Sequence, residues 1–402
     1  MQPDNDETPG WGAATDAIHF GYDPADAEGA LSPPIYMTST YAFESSADVE
    51  ALINGERPGY MYGRRTNPTQ SVLEKRMAKL EGGEAAMTAA SGMSAIASAL
   101  LTLLQAGDEV VVDHTLYGGT YALFTQGLVK FGVTVRKVDM TKPELISAAL
   151  TPKTRVVYFE TPANPNLRLV DITGTAALVR AQSPNAKIVV DNTFATPLGQ
   201  QPLKFGADLV VHSATKFLGG HGDLLAGIVV GSNELITQIR NEGLRYLNGG
   251  TMSPMTAFLV LRGLKTLELR MERHTKSAQA VAELLAAHSA IDNVSYPGLK
   301  SHPQYVLGQR QMMLSGGLIA FDMKRGLDAG KKFMDRLKLV TLAVSLGDAE
   351  TLVQHPASMT HSNYTPDERS KQGIGEGMLR LSIGLESPRD ILEDIEQALG
   401  NL

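Results

Sequence analysis

No cysteine occurs in the chain, which excludes disulfides, thiolate metal sites, iron–sulfur clusters and cysteine nucleophiles. Long basic runs are missing too, and the formal charge is −7. Nucleic acid and anionic membrane surfaces are therefore not expected partners. The longest nearly unbroken apolar stretch, Ala95 to Leu104, is too short and too interrupted to span a bilayer. Met1 to Gly12 is polar and acidic and lacks the basic and apolar regions of a secretory signal, so a cytoplasmic location is expected. There is no Gly-x-Ser-x-Gly elbow, no P-loop, no Gly-x-Gly-x-x-Gly turn and no His-Glu-x-x-His pair. His212, His221, His355 and His361 read as hydrogen-bonding or loop residues, and Asp223, two residues from His221 in a Gly-rich loop, does not alter that. No metal site is expected.

What is present describes a globular chain, 43% hydrophobic and 20% charged. Its 402 residues exceed one ordinary core. Residues 1–65 carry few periodic signals and recurrent Gly, Pro, Ser and Thr, as in Leu31-Ser32-Pro33-Pro34. They predict an extended arm with apolar anchors at Ile35-Tyr36-Met37 and Tyr41-Ala42-Phe43. Over residues 66–265, β-branched runs near 109–113, 133–138, 155–160, 188–191, 208–212 and 227–230 alternate with helical patterns near 94–105, 120–130 and 173–181. That alternation predicts an α/β domain with a mostly parallel sheet buried on both faces. A long helical stretch near 256–287 follows. Strands near 318–323 and 378–383, with helices near 326–337 and 388–399, predict a smaller α+β domain over 266–402.

In open α/β sheets, ligands bind beyond the carboxyl ends of the strands. Glu160 and Asp191 end two predicted strands, and His212-Ser213-Ala214-Thr215-Lys216 ends a third. Ala90-Ser91-Gly92-Met93 leads into a helix N-terminus, whose free N–H groups and positive dipole suit a phosphate. This set matches the needs of pyridoxal 5′-phosphate (PLP). Lys216 offers an amine for a Schiff base. Asp191 can keep a pyridine nitrogen protonated, so that the ring drains electrons. Ser91, Gly92, Met93, Ser213 and Thr215 can hold a phosphate. Each residue alone has a plainer reading, as a solvated loop lysine, a turn-forming Asp or an ordinary helix cap. The case rests on their sitting on neighbouring elements of one sheet.

Longer strings then resemble the Cys/Met-metabolism family of fold-type-I PLP enzymes, from about residue 15 to the C-terminus. Tyr62-Gly63-Arg64-Arg65-Thr66-Asn67-Pro68-Thr69 is similar to a family string whose Tyr and Arg reach the cofactor phosphate of a neighbouring subunit. The resemblance thus implies phosphate binding in trans by Tyr62 and Arg64. Tyr117 matches a tyrosine that stacks on the ring and transfers protons; Glu160, Asn164, Asp191 and Thr193 match positions around the ring, with Asn164 at the ring hydroxyl. Ser213-Ala214-Thr215-Lys216 matches the Schiff-base lysine motif, and Arg380, with Ser345 beside it, matches the arginine that pairs with the substrate carboxylate. Thr360, Gly119 and Val344 fall by the same likeness near the substrate. The fold implied is a mostly parallel seven-stranded sheet between helices, a smaller C-terminal α+β domain and an N-terminal arm. The assembly implied is a homotetramer built from two active-site dimers.

Within the family, Val344-Ser345-Leu346-Gly347-Asp348 most resembles the methionine γ-lyase branch. Cystathionine-processing branches carry Glu at the position of Val344, and many sulfhydrylases carry Asn at that of Ser345. An apolar Val344 suits a thioether, since an unneeded buried carboxylate is costly. The chain departs from the branch at Gly119, where Cys is typical, at Arg245-Tyr246, where Lys-Asp is common, and at Gly63. The activity implied is γ-elimination, converting L-methionine to methanethiol, 2-oxobutanoate and ammonia. The alternatives are acetyl- or succinylhomoserine sulfhydrylase, cystathionine γ-lyase or γ-synthase, or a non-catalytic binding protein on the same scaffold.

Overall fold

A computed structural model describes residues 10–362 and 364–400. Strands β1 (Ala85–Ala89), β2 (Glu109–Asp113), β3 (Thr134–Val138), β4 (Thr154–Glu160), β5 (Lys187–Asp191), β6 (Leu209–Ser213) and β7 (Gly227–Gly231) form one sheet in the order β1-β7-β6-β5-β4-β2-β3. Only β7 runs antiparallel to its neighbours. Alternate side chains of a strand reach opposite faces, and here both faces are apolar. Val110, Val112, Tyr158, Val189 and Val211 join the core around helix Gly92–Leu103. Val111, Val157, Phe159, Ile188 and Val190 join the core around helix Ile172–Gln182.

The expected seven-stranded sheet is therefore present, with one strand that the sequence pattern did not announce. β1 reads Ala-Ala-Met-Thr-Ala, without the usual β-branched enrichment. It is held by its register with β7 and by burial between helices Pro68–Glu81 and Gly92–Leu103. Residues 10–65 are only partly an extended arm. They contain helices Ala13–His19 and Ser46–Ile53, the second capped by the Ser45 side chain. The helical stretch near 120–130 is a short α-helix, Gly118–Ala122, that passes into a π turn and a 3₁₀ turn.

The long helix expected near 256–287 is two helices, Pro254–Leu264 and Leu267–Ala287. Thr266 leaves helical geometry at the break, and buried Arg270 reaches back across it to the Gly263 carbonyl at 2.8 Å. The first helix packs in a core with β6 and β7, whereas the second packs with the C-terminal sheet. That sheet comprises β8 (Ile291–Ser295), β9 (Leu318–Met323), β10 (Thr341–Leu342), β11 (Leu352–Gln354) and β12 (Met378–Ser382), in the order β10-β11-β12-β9-β8. On β12, Leu379 and Leu381 enter the core with helix Pro388–Leu399. Strand alternation therefore sends Arg380 to the other face. Among the described residues, no helix is long and apolar enough to cross a membrane.

The seating of helix Gly92–Leu103 on the sheet depends on Gly227. A Cβ there would overlap the Ser91 carbonyl. Gly227→Ala is expected to cost about 1–3 kcal/mol, the range for overpacking, and to lower the thermal midpoint; an unchanged midpoint would contradict this packing.

Candidate active site

The β4–β5 register sets Glu160 beside Asp191 at the carboxyl end of the sheet. Glu160 accepts hydrogen bonds from the backbone N–H groups of Tyr117 at 2.7 Å and Asn164 at 3.3 Å. Asp191 accepts from the Thr193 N–H at 3.0 Å and the Tyr158 hydroxyl at 3.3 Å. Burial raises both carboxyls above their ordinary range, and the neighbouring Asp191 charge raises Glu160 further. Two such groups side by side call for a positive partner.

Lys216 lies just past β6, in the long connection to β7. The Ala214–Gly219 and Lys216–Gly220 backbone bonds, at 2.9 and 2.8 Å, curl this segment. Arg270 holds its outer side through the Phe217 carbonyl at 2.6 Å. The Lys216 amine donates to the Ser345 hydroxyl at 3.2 Å. Burial and then Arg380 lower its pKa below the ordinary lysine value, with Asp348 opposing. Two residues beyond Ser345, Gly347, at φ 77°, lies so near the Lys216 segment that a Cβ there would stand 2.6 Å from the Phe217 backbone nitrogen. No side chain fits there.

At the other end of the site, Ser91 caps helix Gly92–Leu103 by accepting from the Ser94 N–H at 3.1 Å. A Cβ on Gly92 would stand 2.8 Å from that of Ser213, so the helix start lies against the end of β6. Thr193 accepts from the Ser213 N–H at 2.8 Å, and Thr215 bonds Ala226 across the connection. The first-turn N–H groups have no carbonyl within the helix to bond, so this end attracts an anion.

Arg380 arrives from the second sheet and is 2% exposed. Its Nη1 donates to the Asn164 side-chain oxygen at 2.7 Å and its Nη2 to the Ser345 carbonyl at 3.0 Å, while its buried Nε has no partner. Burial pulls its pKa down to about 9. A guanidinium with a donor to spare inside a cavity is suited to a carboxylate.

These residues surround one cavity of about 220 Å³, lined by Ser91, Gly92, Met93, Tyr117, Glu160, Asn164, Asp191, Thr193, Ser213, Thr215, Lys216, Val344, Ser345, Thr360 and Arg380. Three residues singled out in the sequence do not line it. Gly119 lies under the Tyr117 ring, where a Cβ would come within 2.7 Å of the ring edge, so its influence on a substrate passes through Tyr117. Tyr62 and Arg64 lie away from the cavity of their own chain; the guanidinium stands 5.8 Å from the Tyr62 ring and bonds the Arg245 carbonyl. Six further lining residues were not assigned to the site from sequence: Ile96, Pro162, Phe194, Leu225, Leu346 and Gln354. Phe194, three places beyond the strand end at Asp191, could have been found there. Leu225 carries no local signal, since only the fold brings the end of the β6–β7 connection to the cavity. The histidines bond near neighbours: His212 to Glu81 at 2.6 Å, His221 to the Gly219 carbonyl, His355 to Ser358, and His361 to the Leu116 and Asn164 carbonyls.

The donor set fits PLP. It has a desolvated amine, a raised carboxyl for a ring nitrogen, and hydroxyls around a helix start for a phosphate. Comparisons with known proteins agree. The chain is 55% identical to the L-methionine gamma-lyase of Pseudomonas putida, over 96% of its own length and 97% of that protein's. It is 52% identical to the L-methionine gamma-lyase of Pseudomonas deceptionensis, over 98% and 99%. Its fold matches the crystal structure of cystathionine gamma synthase from Xanthomonas oryzae pv. oryzae with a TM-score of 0.91, at 41% identity and 98% coverage of both chains. Residues 14–400 match the pattern of the Cys/Met metabolism PLP-dependent enzymes. With amine, carboxyl pair, phosphate cradle and buried arginine gathered in one cavity, the chain belongs to the Cys/Met metabolism family of PLP-dependent enzymes.

Proposed function

We propose that this enzyme performs γ-elimination on L-methionine, yielding methanethiol, 2-oxobutanoate and ammonia with consumption of one water. One observation carries the choice of substrate. The charged residues lining the cavity are Glu160, Asp191, Lys216 and Arg380, each with a part in the chemistry. The remaining wall includes Met93, Ile96, Phe194, Leu225, Val344 and Leu346. Among the described lining residues, no spare charge is left to receive the distal amino and carboxyl groups of cystathionine, whereas a thioether needs none. The relatives named L-methionine gamma-lyase, at 50–55% identity, support the same choice.

Bound PLP supplies the electron sink for charge developing at the substrate α-carbon. Asp191 would hold its ring nitrogen, Asn164 its ring hydroxyl, and the Ser91–Met93 turn with Ser213 and Thr215 its phosphate. Arg380 takes the substrate carboxylate, with Ser345 alongside. The lowered pKa of Lys216 suits its amine to take the α-proton, hand it on to the conjugated system and, neutral again, take a β-proton. The Cγ–S bond then breaks, and the Tyr117 hydroxyl protonates the departing thiolate. Glu160 fixes Tyr117 by its backbone, and Thr360 stands close by on the C-terminal segment, its carbonyl packed against Gly118.

We read residues 1–65 as an arm toward a neighbouring subunit, 66–265 as the PLP-binding domain and 266–402 as the C-terminal domain. The helix break at Thr266 supports that last boundary. Tyr62 and Arg64 would serve the partner's phosphate within a homotetramer of two active-site dimers, in the cytoplasm. Leu225 and Val344, 69% and 60% exposed in the single chain, are the kind of apolar wall that a neighbouring subunit would cover.

Incubation with methionine should release methanethiol and 2-oxobutanoate in equal amounts. If methionine is inert while O-acetylhomoserine plus sulfide gives homocysteine, the γ-elimination reading fails. Arg380→Ala is expected to raise KM about 10–100-fold, the loss of a charged hydrogen bond; unchanged kinetics would remove it from carboxylate binding. Lys216→Ala and Arg64→Ala chains should each be inactive, yet regain activity when refolded together, because a mixed dimer holds one intact site. Absence of complementation would contradict the in-trans role.

A further inference from the structure

We propose that Arg168 is a positioning residue for the carboxylate-binding side of the cavity: paired with Asp113 and Asp139, its guanidinium fixes the turn that presents Asn164 to Arg380. The inference rests on the reading of Arg380 as the carboxylate anchor.

Beyond Glu160 the chain reverses through residues 161–170. Two backbone bonds close the reversal, Ala163 N–H to the Arg168 carbonyl at 3.0 Å and Leu167 N–H to the Ala163 carbonyl at 2.9 Å. Leu167 sits at φ 57°. A leucine seldom adopts that left-handed geometry without its surroundings enforcing it. The next residue supplies an anchor. Arg168 Nη1 pairs with Asp139 at 2.8 Å and Nη2 with Asp113. Asp113 ends β2 and Asp139 follows β3, so the guanidinium ties the turn to the two outer strands. Within the same turn, Asn164 takes the Arg380 hydrogen bond at 2.7 Å.

The charges show why an arginine stands here. Asp113, His114 and Asp139 bring possible ligand atoms within 4.8 Å of one another, a grouping that could hold a cation. Arg168 already supplies that cation, through two hydrogen-bonded contacts. Burial first, then Arg168, lower the pKa of His114, so its ring adds no competing charge. Asp113 is wholly buried and one of its oxygens has no partner. Without Arg168 a buried carboxylate would stand unneutralised beside a turn with a left-handed leucine, and the turn would shift to bring water in.

The test uses PLP-loaded enzyme and glycine, which carries the α-carboxylate and cannot undergo γ-elimination. Glycine binding is read from the cofactor absorption, alongside KM and kcat for methionine. Arg168→Met should weaken glycine binding and raise KM about tenfold or more, the scale of a misplaced contact, with kcat much less affected; Arg168→Lys should recover most of the loss. Should Arg168→Met fail to fold, the Arg168→Met, Asp113→Asn double variant leaves no unpaired buried charge and is read the same way. Wild-type glycine affinity in either variant overturns the proposal, as does a fall in kcat with binding unchanged. If glycine fails to bind the unaltered enzyme, the Arg380 reading falls first and takes this one with it.

Discussion

Two acidic side chains in register on adjacent buried strands, Glu160 and Asp191, are the constraint around which this cavity is organised. Burial raises the pKa of both, and the Asp191 charge raises that of Glu160 further. The surroundings answer with positive and donor groups. Arg380 attracts the Glu160 charge, His212 favours that of Asp191, and two backbone N–H groups bond Glu160. Asp191 also lines the cavity, where a protonated pyridine nitrogen would give it a positive partner. A cofactor with that nitrogen is therefore the electrostatic complement of the site.

The two sheets divide the work. The first supplies rigid strand ends, a helix start and the Lys216 connection, all packed on both faces by apolar side chains. The second delivers one buried guanidinium from the face of β12 opposite its helices. Contact between the two is close at Gly347 and Phe217, next to where Ser345 and the Lys216 amine meet. Catalytic geometry is thus set by backbone approaches that leave no room for side chains, more than by flexible loops.

How much of this was legible in the sequence varied with how local the signal was. Val-rich strands β2, β4, β5, β6 and β7 announced themselves, and the short strings holding Asp191 and Lys216 lay at the ends of β5 and β6. β1 did not, because an Ala-rich run becomes a strand only where neighbours bury it. The interruption at Thr266 lies in a stretch whose apolar and charged residues read as one helix; the Arg270–Phe217 bond beside it spans 53 residues. The Asn164–Arg380 bond spans 216 residues, so resemblance could name both residues but local pattern could not pair them. Gly119 read as a substrate neighbour and proves to be the floor beneath Tyr117. Leu225 was invisible until the fold carried it to the cavity.

The most direct test of the account is where the cofactor is attached. Borohydride reduction of the purified enzyme followed by peptide mass mapping should find the pyridoxyl group on Lys216 alone, at one per chain. A pyridoxyl group on another lysine, or none at all, would contradict it.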